Sequence, residues 1–155
     1  MKKSIELLKT KLETKMRGKI KNIYVGDPWI FPESAMPCLM LNPIKTETNI
    51  LDNQRDSHIH FIDISLVIDA RQYFDATPDK MVGTVFLMDT MEGELSDGTI
   101  DPASIQGIIR DNLDLSSNRQ IQNDSSVDYT VRRRTEELIT LEATAHLQIE
   151  YLINR

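Results

Sequence analysis

The last stretch of the chain has the most regular alternation of apolar and polar residues. From Ile139 to Ile153 every odd position is apolar or small, and from Thr140 to Glu150 every even position is polar. A period of two places alternate side chains on opposite faces of a sheet. The pattern predicts one long antiparallel strand over 138–153, with a buried odd face and a solvated even face. Ordinary strands have about five or six residues, so we expect this strand to serve a large sheet or one continued in a neighbouring subunit.

A second run, His58–Ala70, predicts another long strand, because its even positions from Ile62 to Ile68 are all apolar. Three shorter runs predict further strands: 20–25, 38–42 (ending at Pro43) and 121–134. The last begins either at Ile121 or only near Ser125, because 115–124 is rich in Ser, Asn and Asp. The segment 132–137 joins the last of these to the C-terminal strand. We therefore expect the two to form a β-hairpin.

Three segments predict helices. In the first, Ile5, Leu8, Leu12 and Met16 fall at helical spacing, and Ser4 is the predicted N-cap. The other two begin with a capping side chain followed by proline, which is typical of a first helical turn: Thr77-Pro78 and Asp101-Pro102. The predicted helices cover 3–16, 78–92 and 102–113.

These elements predict one α+β domain over residues 1–155. Its sheet is mainly antiparallel, with two very long strands, and the helices pack on one face as a two-layer sandwich. The segment 45–57 is polar apart from Ile50 and Leu51, and we expect a polar arm or loop there. A loop of that length in a compact domain is unusual and tends to be functional. It is either a mobile hairpin or an arm that becomes ordered on a neighbouring subunit.

Composition narrows the classes of function. The 155 residues include 18 basic and 24 acidic side chains, for a net charge of −6, which argues against tight DNA binding because phosphate neutralisation needs clustered cations. The single cysteine, Cys38, excludes an intramolecular disulfide and is expected to be a small core residue. The N-terminus has no apolar signal core, and no apolar run approaches the ~20 residues of a membrane span. We therefore expect a protein that is cytoplasmic as made and does not enter membranes.

Candidate chemistry is sparse. His58 and His60 lie two apart on one strand face with Asp56 nearby, a spacing at which two imidazoles can share a metal ion. Asp63 and Asp69 are about 20 Å apart at strand rise, too far for a paired general acid and base. No phosphate-binding glycine pattern occurs. We expect no catalysis, no metal and no cofactor; a small metal-dependent hydrolase using the two histidines with Asp56 or Asp63 is an alternative.

Two other segments are candidate contact surfaces. Trp29 and Phe31 lie in a loop rich in proline and glycine and either pack on the sheet or contact a partner. Arg132, Arg133 and Arg134 form the only basic cluster. In a strand Arg132 and Arg134 share a face, where they can contact a phosphate or pair with an acid such as Glu136 or Glu137 of the next chain. The salt bridge to the next chain is our interpretation.

The order of these segments resembles that of tail terminator and tail-completion proteins of tailed bacteriophages. The resemblance covers most of the chain and rests on the following segments: the N-terminal amphipathic helix, Tyr-Val-Gly-Asp-Pro at 24–28, Asn42-Pro43, the polar arm before the strand that begins His-Ile-His-Phe-Ile-Asp at 58–63, Gly98 to Arg110, and the arginine-rich strand leading into Leu-Glu-Ala-Thr-Ala-His-Leu-Gln-Ile at 141–149. Proteins of this family have no catalytic motif, so the resemblance transfers no catalytic residues.

The resemblance implies a structural virion protein in the tail or neck, assembled in the host cytoplasm. Such a protein forms a homo-oligomeric ring, usually a hexamer, that caps the tail tube and joins it to the head connector, while DNA passes through the lumen without specific binding. The candidate interface residues are the following: Trp29, Phe31, Thr48, Asn49, Ile50, Leu51, Arg55, Arg132, Arg134 and Glu136. Alternatives are another neck or head-closure protein, a tail tube subunit, or an intracellular adaptor domain.

Overall fold

A curled, mostly antiparallel sheet of seven strands forms the body of the molecule, and three α-helices accompany it in the described residues. The computed structural model describes residues 1–30, 32–71, 82–122 and 126–154. The expectations for Phe31 and for a helix start at Thr77-Pro78 fall outside these residues. The chain therefore has a mixed α/β fold dominated by antiparallel sheet.

The elements follow one another along the chain in this order: α1 (Lys2–Lys15), β1 (Asn22–Val25), β2 (Cys38–Ile50), β3 (Arg55–Asp69), α2 (Val82–Met91), α3 (Ile105–Arg110), β4 (Asp114–Ser116), β5 (Arg119–Ile121), β6 (Val127–Arg133) and β7 (Ile139–Asn154). A short 3-10 turn at Glu33–Ala35 precedes β2. The strands β2, β3 and β7 have 13, 15 and 16 residues, which is well above the ordinary length.

The strand order is β1-β2-β3-β7-β5-β4, with β6 also paired to β7. Only the β1–β2 pair is parallel; β3 is antiparallel to both β2 and β7. The N-terminal half of β7 pairs with β6 from Ile139 to Ala145, and its C-terminal half pairs with β5 around Glu150. The predicted hairpin between the last two strands is confirmed, and its first strand begins at Val127, close to the later of the two predicted starts. The short strands β4 and β5 were not predicted.

One face of the sheet packs against all three helices. The even positions of β3 and the odd positions of β7 meet in register on this face, for example Ile62 opposite Leu147 and Ile64 opposite Ala145. These residues form one buried cluster with Ile5, Leu8 and Leu12 of α1, Leu87 and Met91 of α2, and Ile105 and Ile108 of α3. Both apolar faces predicted from the period of two are confirmed at the centre of the sheet.

The opposite face also carries a small core, which the sequence did not indicate. Met36, Cys38, Met40, Val67 and Leu138 form a second buried cluster there. The predicted solvated face of β7 is therefore wrong at its start: Thr140 and Glu142 are buried. The segment between β1 and β2 lies over that end of the sheet. Side chains on both faces of β7 are therefore buried near its start.

Two predicted helix starts are wrong. Met1, not Ser4, is the N-cap of α1; Ser4 is buried inside the helix and its hydroxyl meets His60 Nδ1 at 2.9 Å. The third helix begins at Ile105 because Ser104 Oγ accepts the backbone N–H of Gly107 at 3.0 Å. Asp101 instead caps a preceding turn by accepting the N–H of Ala103. That turn runs so close to the helix that a Cβ on Gly107 would lie 2.1 Å from the Asp101 carbonyl oxygen.

The segment 45–57 forms a hairpin, which is one of the two predicted alternatives; contact with a neighbouring subunit stays a prediction. The second strand does not end at Pro43 but continues to Ile50, and residues 45–50 and 55–57 belong to the hairpin of β2 and β3. Pro43 fits because a bulge follows it: Pro43 opposes Ile62, Lys45 opposes Phe61, and Ile44 is the extra residue. Proline is tolerated in a sheet at edges and bulges, where its missing N–H breaks no ladder.

We predict that Leu66→Ala lowers the free energy of unfolding by about 2–5 kcal/mol, since it leaves a cavity in the main core. Leu66 is fully buried between the helices and the sheet. The matched control is Val85→Ala on the exposed face of α2, which should change the unfolding free energy by less than about 0.5 kcal/mol. Denaturant unfolding followed by circular dichroism measures both. Equal effects of the two substitutions would contradict the assignment of the core.

Candidate assembly interface

The distal half of β2 is an open sheet edge. Strand β1 pairs with β2 only from Asn22–Cys38 to Val25–Leu41. From Asn42 to Ile50 no other strand of the described part of the chain pairs with the outer edge of β2. Every residue from Pro43 to Leu51 is exposed. An open edge carries unpaired backbone N–H and C=O groups that can pair with a strand of another chain.

The tip of this hairpin is held by one carboxylate. Asp52 accepts the backbone N–H of Gln54 at 2.8 Å and the Nε–H of Arg55 at 2.8 Å. The Leu51 N–H donates to the Arg55 carbonyl at 3.1 Å. These bonds shape the turn locally, with the aliphatic side chains of Ile50 and Leu51 left 72% and 51% exposed.

The structure brings five of the predicted interface residues together on this hairpin: Thr48, Asn49, Ile50, Leu51 and Arg55. Thr48 faces His58 across the strand pair, with 3.4 Å between Thr48 Oγ1 and His58 Nδ1. Arg55 is occupied by its salt bridge to Asp52. Two neighbouring exposed aliphatic side chains on a turn beside an open edge are typical of a contact surface. Whether these residues contact another chain stays a prediction.

Strand β6 gives a second open edge. It pairs with β7 alone in the described residues, and Val131 is 69% exposed. The Tyr129 hydroxyl donates to the Glu92 carboxylate just past α2. Burial, together with this carboxylate, raises the pKa of Tyr129. This contact ties β6 to the helical layer while the outer edge of the strand stays open.

The arginine cluster is paired within the chain. The Arg134 side chain is fully buried and lies between two carboxylates, with Arg134 Nη2 2.8 Å from Glu142 Oε1 and Arg134 Nη1 2.6 Å from Asp27 Oδ1. Arg132 lies 3.4 Å from Asp27 and 3.7 Å from Glu142. The prediction that Arg134 pairs with an acid of the next chain is therefore wrong. For Arg132, which is exposed, an additional contact with another chain stays a prediction.

Charge pairing sets the ionisation of this cluster. Burial alone would raise the pKa of Asp27, but its hydrogen bond from Arg134 and its proximity to both arginines hold the pKa below the ordinary value. Burial disfavours the charge on Arg134, and the bonds to Asp27 and Glu142 outweigh this effect and raise its pKa. Asp27 and Arg134 therefore stay charged near neutral pH, and their ion pair fastens the loop after β1 to the sheet.

The remaining predicted interface residues have separate positions. Trp29 is half exposed, has a positive φ of 57°, and its ring centroid lies 5.7 Å from the Arg134 guanidinium. Phe31 falls outside the described residues. Glu136 is exposed in the turn between β6 and β7, where its carbonyl oxygen accepts a hydrogen bond from Arg133. The structure therefore places Trp29 beside Arg132 and Arg134, and Glu136 on the neighbouring turn.

The two candidate metal ligands are not arranged as a metal site. His60 is buried, and its two ring nitrogens lie 2.9 Å from Ser4 Oγ and 3.0 Å from the amino group of Met1. Burial, with the nearby amino group, His58 and Arg119, lowers the pKa of His60 to about 4. No group of three or more potential metal ligands occurs in the part of the chain that the structure describes. The hydrolase alternative therefore gains no site from these residues.

A different histidine forms a charged contact that the sequence reading missed. His146 Nδ1 lies 2.7 Å from Asp63 Oδ1, and His146 Nε2 lies 3.0 Å from Asp128 Oδ2. The three residues belong to β7, β3 and β6, so the contact joins three adjacent strands. The hydrogen bond with Asp63 and then the proximity of Asp128 raise the pKa of His146 against the opposing effect of burial. His146 and Asp63 are opposite each other in the register of β3 and β7, and both lie on the polar faces of their strands. Knowledge of this register would have indicated the contact.

Cys38 is buried in the second core, as expected. Burial raises the pKa of its thiol to about 12, so the reactive thiolate is scarce near neutral pH.

Comparison with protein-family models and with curated protein sequences finds no match for the chain. Within the described residues, no helix has both the length and the apolar character that crossing a bilayer requires.

We predict that Arg134→Met destabilises the protein by about 3–5 kcal/mol, because it leaves Glu142 buried without its main cation. Arg133→Met, on the exposed side of the same strand, is the control and should cost less than about 0.5 kcal/mol. Chemical denaturation measures both free energies. A loss of under about 1 kcal/mol for Arg134→Met would show that the cluster does not fasten the loop.

We predict that His146 stabilises the protein at low pH and less at high pH. Its folded-state pKa is raised above an unfolded value of about 6.5. The stabilisation is therefore complete below pH about 6.5 and is lost as pH rises through the folded-state pKa. His146→Gln should cost about 0.5–1 kcal/mol at pH 6, since the group is partly screened by solvent. The difference from wild type should shrink by pH 9, and a difference independent of pH would contradict the pairing.

Proposed function

We propose that this chain is a structural subunit of a phage tail, a tail terminator whose copies form a ring that caps the tail tube and joins it to the head connector. The observation that supports this most directly is the open edge of β2 from Asn42 to Ile50, with exposed Ile50 and Leu51 at its tip. The order of segments along the chain, which resembles that family, supplies the biological context.

The positions of the two open edges favour a ring over a two-fold dimer. Strand β2 lies on one side of the β3–β7 pair and β6 on the other. Each pairing step between them is antiparallel, so β2 and β6 run in opposite directions. Strand β6 is level with Cys38–Leu41 of β2, which β1 covers. In a ring whose strands are inclined to the ring axis, as in barrels, β6 of one copy reaches the open segment of β2 of the next copy, and the two strands are antiparallel. A contact between two different surfaces repeats until the ring closes.

The proposal includes the two-layer arrangement predicted from the sequence. The long strands β3 and β7 form the centre of the sheet layer, and the helices form the second layer on one face. Copies joined by their sheet edges give a wall whose inner surface is one sheet face. With a net charge of −6, such a wall would let DNA pass without tight binding. Related roles as a neck, head-closure or tube protein use the same surfaces and stay as alternatives.

The experiment that tests the proposal is the solution mass of the purified full chain, by light scattering after size exclusion, alone and mixed with the tail tube protein of the same genome. We expect a particle of about six times the 17.8 kDa chain mass, alone or on the tube. Open-ended polymers would point to a tube subunit. A chain that stays monomeric in both conditions would contradict the ring.

We predict that Ile50→Asp with Leu51→Asp abolishes the ring and leaves the monomer folded. Both side chains are exposed at the hairpin tip, so charge there costs little in the monomer but opposes apolar contact between copies. The control is Val85→Asp on α2, which is similarly exposed and should leave the mass unchanged. Circular dichroism checks the fold. An unchanged particle mass in the double variant would remove the hairpin tip from the interface.

A further inference from the structure

Two arginines are buried in the described part of the chain, and their side chains have different partners. Arg134 is paired with two carboxylates, Glu142 and Asp27. Arg119 is only 7% exposed, yet none of the carboxylates in the described ranges forms an ion pair with it. Its single hydrogen bond runs from Nη1 to the neutral amide oxygen of Asn118 at 3.1 Å. Arg119 Nε is buried and has no hydrogen-bond partner.

A buried guanidinium without a counter-charge is costly. Charges removed from water are normally compensated by an opposite charge and by hydrogen bonds on each donor. Arginine presents five N–H donors in a planar fork, and Arg119 uses one of them within the described chain. Within the described residues, Nε is the donor of Arg119 that is buried without an acceptor. The Arg134 cluster shows how a buried arginine of this chain is satisfied when carboxylates of the same chain surround it.

The surroundings of Arg119 suit an anion. Its guanidinium stacks at 3.8 Å on the ring of Tyr151, which is its register partner on β7. The rings of His58 and His60 lie 6.3 Å and 6.2 Å from that of Tyr151. Tyr151 and His58 are partly exposed, so this end of the helix-facing side of the sheet is open to solvent. After burial, the Met1 amino group and His58, Arg119 also lowers the pKa of His60, so its charge acts at this end of the sheet.

We propose that Arg119, with Tyr151 and His58 beside it, forms a binding site for an oxyanion, namely a carboxylate or a phosphate group. The anion accepts hydrogen bonds from the guanidinium fork, which matches two oxygens of either group. Tyr151 holds the plane of the fork by stacking, and Asn118 fixes its rotation through Nη1. His58 can donate a further hydrogen bond from its ring. Arg119 and Tyr151 lie on β5 and β7, away from the open edge of β2, whereas His58 adjoins Thr48 at that edge. The proposal does not depend on ring formation.

The test is an NMR titration of the full chain with sodium phosphate and, separately, with sodium acetate, at constant ionic strength set by sodium chloride. The signals followed are the Nε–H of Arg119, the ring of Tyr151 and the rings of His58 and His60. We expect saturable shifts at these four residues with a dissociation constant on the order of 1 mM. Saturation by acetate alone identifies a carboxylate site, by phosphate alone a phosphate site, and by both a general oxyanion site.

Two variants make the test specific. Arg119→Gln removes the charged fork and should weaken binding by at least about tenfold. Arg133→Gln removes an exposed arginine on β6 and should leave the dissociation constant unchanged. The proposal is overturned if the wild-type signals show no saturable shift with either anion, or if folded Arg119→Gln binds as well as wild type. Should Arg119→Gln fail to fold, the wild-type Arg119 Nε–H signal decides the question directly.

Discussion

The pairing of β3 with β7 is the constraint on which the rest of the structure depends. Every residue of β3, from Arg55 to Asp69, has a partner on β7 in one unbroken register. Because side chains alternate, this register places one apolar row of each strand on the same face, where the helices cover it. A slip by one residue would move both rows to the opposite face. The hairpin of β2 and the short strands at the other side attach to this pair.

The same pair creates the surfaces that the proposed assembly needs. Strands β3 and β7 continue beyond the residues that pack against the helices. Strand β2 continues beside them and forms an exposed hairpin with β3. The loop after β1 covers one end of the sheet. Arg134 holds this loop in place by pairing with Asp27 of the loop and Glu142 of β7. The chain leaves the other end of β2 and the outer side of β6 open. The buried core lies at the centre of the sheet and the unpaired strand edges lie at its sides, which is the division that the proposed assembly through sheet edges requires.

Periodicity alone predicted the central strands and failed where tertiary contacts decide. The alternation in β3 and β7 identified their buried faces because each strand packs one face on helices. It gave the wrong outcome for Thr140 and Glu142, since no local signal shows that a distant loop covers them. Pro43 suggested a strand end, whereas a bulge at Ile44 carries the strand onward. The Arg134 cluster joins residues more than a hundred positions apart, and the His146 contact joins three strands, so neither was visible before the register was known.

The central claim is that the open edge of β2 is where copies of the chain meet. Hydrogen exchange of the backbone amides of residues 44–50, compared between dilute monomer and assembled protein, tests it most directly. Pairing with another strand gives partners to the amides of this segment that point away from β3 and slows their exchange. The alternate amides that already bond to β3, and the amides of the β3–β7 centre, should change little. We predict strong protection of the outward-pointing amides of 44–50 that appears only on assembly. Exchange in that segment that is equally fast in the monomer and in the assembled particle would contradict the account.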